Sequence, residues 1–163
     1  MIKPLGICES FDKLRSEILS LITCLGTDKT QIICQTIEKN SKDWITGIGS
    51  IYDLEHKDEH LYVNLNCNLK NTLIESLINK FHGFRTRIMI MPPKTCYSIH
   101  ADPTPRIHIP IITNTQSWMI WPMQSACYHL QERLIYWTDT TKNHTFLNGG
   151  IENRIHLVMC VKA

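Results

Sequence analysis

The sequence predicts an α+β fold that is mainly β: a double-stranded β-helix, the cupin-like jelly-roll, with N-terminal helices packed on it. Three observations predict it. After Gly83 the apolar pattern turns from helical spacing into short β-rich runs. Turn residues cut those runs so often that about eight strands fall within roughly 80 residues. Before Gly83, two stretches carry apolar residues at helical spacing instead. A chain of 163 residues is long enough to bury a core and too short for two comfortable domains. Residues 1–163 therefore read as one domain, with a mainly helical or irregular part over 1–83 and the jelly-roll core over 84–163.

The first helix is expected over Glu9–Leu25, where Phe11, Leu14, Ile18, Leu21, Ile22 and Leu25 share a face. Ser10 is placed to cap its start and Gly26 to end it. A second helix is expected from about Leu69 to Phe81, with Leu69, Leu73, Leu77 and Phe81 on one stripe between Asn68 and Gly83. Between the helices, Thr46-Gly-Ile-Gly-Ser50 lacks the third glycine and the strand–turn–helix setting of a dinucleotide fingerprint. Strands are expected at Arg85–Met91, Cys96–His100, Arg106–Ile112, Ser117–Trp121, Ala126–Leu130, Leu134–Trp137, His144–Leu147 and Arg154–Val161. Pro92-Pro93, Asp102–Pro105, Asn114, Pro122, Gln131–Arg133, Thr140–Asn143 and Asn148–Gly150 separate them. No internal repeat or low-complexity tract is visible.

Composition narrows the function. The chain carries 17 basic and 15 acidic side chains for a net charge of +2, which gives no reason to expect a nucleic acid or an anionic membrane as partner. No apolar run approaches membrane-spanning length, and the N-terminus lacks a signal-peptide layout. The seven cysteines (8, 24, 34, 67, 96, 127 and 160) are scattered and contain no CxxC pair. That spacing argues against a zinc knuckle or a disulfide framework and for reduced thiols, hence a cytoplasmic protein.

The chemistry concentrates between His100 and Arg154. His100-Ala-Asp102 is followed by His144 and, ten residues later, by Arg154. Two imidazoles and a carboxylate can fill one face of an octahedral non-haem Fe(II) site and leave three positions open. A guanidinium nearby suits a carboxylate, which it grips with two parallel hydrogen bonds. Alternation sharpens this picture. In Arg106–Ile112 it puts Arg106, His108 and Pro110 on one face and Ile107, Ile109 and Ile111 on the other. In Arg154–Val161 it puts Arg154 and His156 opposite Ile155, Leu157, Met159 and Val161. Two strands thus present an Arg-x-His pair on the less apolar face, where an anionic ligand would offset the cost of burying the charge.

The segments Tyr97-Ser-Ile-His-Ala-Asp102 and Arg106-Ile-His-Ile-Pro-Ile-Ile-Thr-Asn114 resemble the aspartyl/asparaginyl β-hydroxylase family of 2-oxoglutarate oxygenases. So do Tyr136-Trp-Thr-Asp-Thr-Thr-Lys-Asn-His144, Asn148 and Arg154-Ile-His-Leu-Val158. The likeness covers about Arg85 to Val161. It implies that His100, Asp102 and His144 hold Fe(II) and that Arg154 clamps the distal carboxylate of 2-oxoglutarate. It also implies that Arg106 and His108 lie near the co-substrate's metal-bound end, and that O2 is consumed to hydroxylate an unactivated C–H. Some members carry Gly at the acidic ligand; this chain has Asp102, so a full triad is expected.

Two other classes of function compete: a cupin-type metal enzyme with a different reaction, and a catalytically silent jelly-roll that binds. Arg154 argues against the first and an intact triad against the second. The substrate is expected to be a small molecule or a peptide, with specificity set in loops such as Ile45–His60 and Gln116–Gln131. Trp118, Trp121 and Trp137 are candidates for core or pocket wall, Tyr97 and Ser98 for co-substrate contact or a turn. Asn114 and Asn148 match the family pattern at turns, where Asn also serves plain backbone needs, Asp139 and His156 are candidates to support the ligands from behind, and His56, His60, His82 and His129 are expected to be solvent-facing or structural. Nothing in the sequence speaks to the oligomeric state.

Overall fold

Period-two alternation after Gly83 gives a sheet two unlike faces, and the architecture uses both. The computed structural model describes residues 1–26, 30–46 and 58–163. The Gly47–Gly49 motif, His56 and most of the Ile45–His60 loop lie outside the described residues.

The chain opens with β1 (Ile2–Ile7) and α1 (Phe11–Leu25), then β2 (Gln31–Ile33), β3 (Gln35–Thr36), β4 (Asn64–Leu65) and α2 (Leu73–Phe81). The strands β5 (Phe84–Met91), β6 (Thr95–Cys96), β7 (Arg106–Ile112), β8 (Ser117–Trp121) and β9 (Ala126–Tyr128) follow. Last come β10 (Leu134–Thr138), β11 (Thr145–Asn148) and β12 (Arg154–Cys160). Six strands form one antiparallel sheet in the order β1-β10-β7-β12-β5-β2, and four form a second in the order β6-β11-β8-β9. Consecutive strands alternate between the two sheets through much of the second half, which is the winding of a jelly-roll.

The larger sheet buries its two faces differently. On one, Ile88, Ile90, Ile107, Ile109, Leu157 and Met159 pack against Phe11, Leu14 and Ile18 of α1 and Ile74 and Ile78 of α2. On the other, toward the smaller sheet, Met91, Met119, Trp121, Leu130, Tyr136 and Phe146 form a second apolar cluster. The polar residues of β7 and β12 also point to this inner side. The register pairs Cys160 with Arg106 and Val158 with His108, so both Arg-x-His faces line the space between the sheets.

Local departures have physical causes. Gly26 ends α1 in the left-handed region at φ 53°, where its N–H donates to the Thr23 carbonyl. Ser10 occupies the N-cap position but makes no side-chain cap bond. The second helix starts at Leu73 rather than Leu69, because Asn71 takes a positive φ of 62° and breaks the run. Cys67–Leu69 forms a separate 3₁₀ turn capped by Asn66, and Thr72 caps α2 by accepting from the Glu75 N–H. Two expected strands are shorter. Beyond Cys96 the ladder lapses until a single bridge joins His100 to His144, and β9 stops at Tyr128 before Leu130 turns into the inner cluster. Strands β1 and β2 fall where helix or irregular chain was expected, and they form the two edges of the larger sheet.

A candidate metal centre in a cation-lined barrel

The bridge between His100 and His144 builds the site. Each residue donates its N–H to the other's carbonyl, at 3.1 and 2.8 Å, so two histidines from distant parts of the chain stand side by side. Their rings lie 4.6 Å apart. Asp102 is held against the next turn, with its N–H on the Thr140 carbonyl at 2.8 Å. Nε2 of His100 lies 4.0 Å from Oδ1 of Asp102, and Nε2 of His144 lies 3.7 Å from Oδ2. All three donor atoms fall within 4.8 Å of one another, close enough to share one cation.

The ring orientations favour that use. His100 Nδ1 sits 2.7 Å from the Ser98 carbonyl and His144 Nδ1 sits 2.9 Å from the Lys142 carbonyl. A carbonyl can only accept, so each Nδ1 carries the proton and each Nε2 presents a lone pair inward. Burial lowers the His144 pKa, against the Lys142 carbonyl and Asp102, which raise it. A neutral imidazole is the ligating form. His100 and Asp102 remain about a quarter and a fifth exposed while His144 is buried, so the cluster opens to solvent on the side of the His100–Asp102 turn. Trp121, fully buried, stands 6.3 Å from the His144 ring and donates its indole N–H to the Asp139 carbonyl.

Deeper in, the barrel is lined with groups that lack partners. Arg154 is 1 % exposed, stacks its guanidinium 4.0 Å from the Phe146 ring centroid, and leaves Nε and Nη1 unbonded. Burial brings its pKa down to about 10. Phe146 lies two residues beyond His144 on the same face, so Arg154 is about 7 Å of strand from the triad. His108 and His156 approach each other through Nδ1 at 3.4 Å, and both Nε2 atoms are unpaired. Burial, then the nearby Arg154, pushes both imidazoles well below their ordinary pKa. With one proton between the two Nδ1 atoms, one Nε2 carries an N–H and the other a lone pair.

The carboxylate that anchors Arg85 and Arg106 was not evident from the sequence. Glu59, on the 3₁₀ turn Glu59–Leu61, is 4 % exposed. Its Oε1 accepts from Arg106 Nη2 at 2.6 Å and Arg85 Nη1 at 2.5 Å, and its Oε2 from Arg106 Nη1 at 2.9 Å and Thr104 Oγ1 at 2.8 Å. Burial raises its carboxyl, but the bonded Arg106 outweighs that, with Thr104 and Arg85, and brings it down to about 2. Arg106 also bonds Thr104 and Cys160 at 2.6 Å each and lies 3.1 Å from Oδ1 of Asp102. It thus braces a triad carboxylate.

Sequence comparison supplies the family. The model of the family described as aspartyl/asparaginyl β-hydroxylase matches residues 9–163, nearly the whole chain. The chain belongs to the aspartyl/asparaginyl β-hydroxylase family. Comparison with curated proteins gives no significant match. Among solved structures, this family member is similar to a viral collagen prolyl hydroxylase from Paramecium Bursaria Chlorella virus-1, solved as a 2OG complex. The TM-score is 0.52 at 11% identity, covering 99% of this chain and 96% of that one. It is also similar to an oxidoreductase of the 2OG-Fe(II) oxygenase family from Burkholderia pseudomallei, with a TM-score of 0.53 at 11% identity over 90% of this chain and 76% of that one. These likenesses show a shared fold, that of the 2OG-Fe(II) oxygenases. Among the described residues no helix is long and apolar enough to cross a membrane.

The other residues of this family member divide into structural and site-facing. Asn148, fully buried, donates to the carbonyls of Met91, Pro92 and Glu152 and accepts from Asn114, Ser117 and Gly150. Asp139 pairs with Thr141 and Lys142 near the surface. Trp137 packs on the helix-side core, and Trp118 meets His129 edge to face, with the His129 Nδ1 on the Ser117 carbonyl. His60 lies against Phe84, and His82 caps α2 in the left-handed region. Tyr97 packs on the inner cluster, where burial raises its phenol pKa.

Proposed function

We propose that this chain is an Fe(II)- and 2-oxoglutarate-dependent dioxygenase that hydroxylates an unactivated C–H of an amino-acid side chain, free or within a peptide. The observation that carries the reading is Arg154: a buried guanidinium with two unbonded nitrogens, about one strand pitch from a two-histidine, one-carboxylate cluster. An unpaired buried charge is costly unless a ligand completes it. The far carboxylate of a dicarboxylate held at the metal cluster would complete it.

The donor set fits the metal. His100, Asp102 and His144 would hold Fe(II) through two neutral nitrogens and one oxygen, the ligand set of non-haem Fe(II) oxygenases. With 2-oxoglutarate and O2, such a centre supplies oxidative decarboxylation to succinate and carbon dioxide, coupled to insertion of one oxygen atom into a substrate C–H. The protein's residues do the rest. Arg106, fixed by Glu59, holds the Asp102 carboxylate in place. Arg154 orients the co-substrate by its far carboxylate, and His108, nearer the metal-bound end, can donate to the 2-oxo acid when it carries the Nε2 proton. Trp121, Phe146 and Met119 wall the space against water. Seven free thiols suit a reducing, cytoplasmic setting.

The test is an anaerobic titration of the protein with Fe(II) and 2-oxoglutarate, read at the visible charge-transfer band of a bidentate 2-oxo acid. The band is expected with the native chain and is expected to vanish in His100→Ala. Iron binding without the band would favour a cupin reaction that uses no 2-oxo acid. Failure to bind iron would return the chain to the binding modules.

A further inference from the structure

The barrel interior carries more positive charge than negative. Among the described residues Arg87, Arg106 and Arg154 are buried, and Glu59 is the one buried acid. Arg85 stands beside them and shares Glu59 with Arg106. The buried His108 lies within electrostatic reach of Arg154, Arg106 and Arg87, and of His144 in the triad, so these charges bear on one space. Charges in such an interior are screened far less than at the surface.

A divalent cation brought to the triad adds two positive charges to this excess. Asp102 is the single anionic donor of the triad, and Arg106 already draws on it, with Nη2 at 3.1 Å from Oδ1. The same nitrogen lies 2.6 Å from Oε1 of Glu59, so one atom separates the two carboxylates. The shorter contact is the one to Glu59, and Arg106 Nη1 donates to Glu59 Oε2 as well, at 2.9 Å. The guanidinium fork is therefore turned to Glu59. Asp102 is left with Oδ2 toward His144 Nε2, at 3.7 Å.

Resting on the oxygenase reading, whose metal centre it concerns, we propose that Glu59 is a positioning residue for that centre. It supplies the counter-charge that lets the triad hold a divalent cation, by keeping the fork of Arg106 off Asp102. Its own bonds go to Arg85, Arg106 and Thr104, none of them a triad member, so it acts through Arg106. Without the Glu59 charge, Arg106 would turn to the neighbouring anion, Asp102, and a two-pronged pair of guanidinium and carboxylate is a strong one. A metal would then have to break that pair to use the carboxylate. Arg85 has the opposite effect. Its bond to Oε1 takes up part of the Glu59 charge, so removing Arg85 leaves Glu59 more fully on Arg106 and Asp102 freer.

The opposite signs make the test. Mn(II) alone would be titrated into the native chain, Glu59→Gln and Arg85→Gln, read by the paramagnetic resonance signal of the free ion, after a cooperative melt has shown each to be folded. Both substitutions disturb one buried cluster, and both are expected to lower the melting temperature. Glu59→Gln is expected to weaken Mn(II) on the order of tenfold to a hundredfold, the range for losing a group that supports a metal ligand. Arg85→Gln is expected to bind Mn(II) at least as tightly as the native chain. Glu59→Asp, which keeps the charge on a shorter stem, is expected to recover most of the affinity that Glu59→Gln loses. Should Glu59→Gln not fold, Arg85→Gln carries the test alone. Native affinity in Glu59→Gln, or weakened binding in folded Arg85→Gln, would overturn the assignment and leave the oxygenase reading standing. If the native chain bound no Mn(II), the oxygenase reading itself would fall, and this role of Glu59 with it.

Discussion

Replacing Glu59 with glutamine keeps its shape and removes the charge that Arg85 and Arg106 share. Two lines of arithmetic give the cost. The carboxyl falls from an ordinary 4.5 to about 2 in the folded protein, and at ~1.4 kcal/mol per pH unit this is about 3 kcal/mol of stability at neutral pH. Its 4 % exposure leaves little for solvent to screen. Removing one partner of a buried ion pair, judged from other proteins, costs ~3–5 kcal/mol. The two agree, and for a domain of this size they correspond to a melting temperature lower by roughly 6–12 °C. Because the folded pKa is depressed, the stabilisation is complete above about pH 4.5 and disappears as the pH falls through 2. Urea denaturation of the native chain and Glu59→Gln, from pH 7 down to pH 3, should show a gap of about 3 kcal/mol that narrows only below pH 4.5. A gap under ~1 kcal/mol at pH 7, or one that stays constant down to pH 3, would refute the reasoning.

Other perturbations address the metal, the co-substrate and the frame. His144→Ala should abolish tight binding of Mn(II), followed by its paramagnetic resonance signal, since two ligands remain; undiminished binding would move the metal elsewhere. Arg154→Lys keeps a charge but not two parallel bonds, so the 2-oxoglutarate concentration for half-maximal turnover should rise at least tenfold with metal affinity little changed. Asn148→Ala strands three carbonyls and three donors; a loss of about 3 kcal/mol or more is expected in a denaturant titration. Gly150→Ala should also destabilise, because a Cβ there would stand 2.4 Å from Asn114 Nδ2, a member of the same network.

The longer strands β5, β7, β8, β10 and β12 were legible because each carries enough alternating residues to declare its faces, and Arg106, His108, Arg154 and His156 fell on the inner face for that reason. The edges were not. β1 reads Ile-Lys-Pro-Leu-Gly-Ile, with a proline and a glycine that argue against a strand. The register shifts between Pro4 and Gly6, and all but Ile2 are exposed. An edge strand tolerates both residues, but only a neighbouring β10 makes it a strand. β2 to β4, two or three residues each, are too short for any period to show. Glu59 was hidden for a different reason. It sits in Asp58-Glu59-His60, a polar run that looks solvated, and its partner Arg106 is 47 positions away. The His100–Asp102–His144 grouping was legible because residue type and order, rather than distance, carried the signal.

The reciprocal pair of backbone bonds between His100 and His144 ties the chemistry to the fraying of a seam. That rung stands apart from the regular ladder, which ends at Thr95–Cys96, and only the Tyr97 N–H, on the Phe146 carbonyl, links the segment to β11 before it. Opening the rung would part the two chain segments that carry the two imidazoles. A cation held across them acts as a rivet where the seam is thinnest. Loading the metal should therefore slow amide exchange at His100 and His144 far more than at the interior of β12, which is already bonded on both sides.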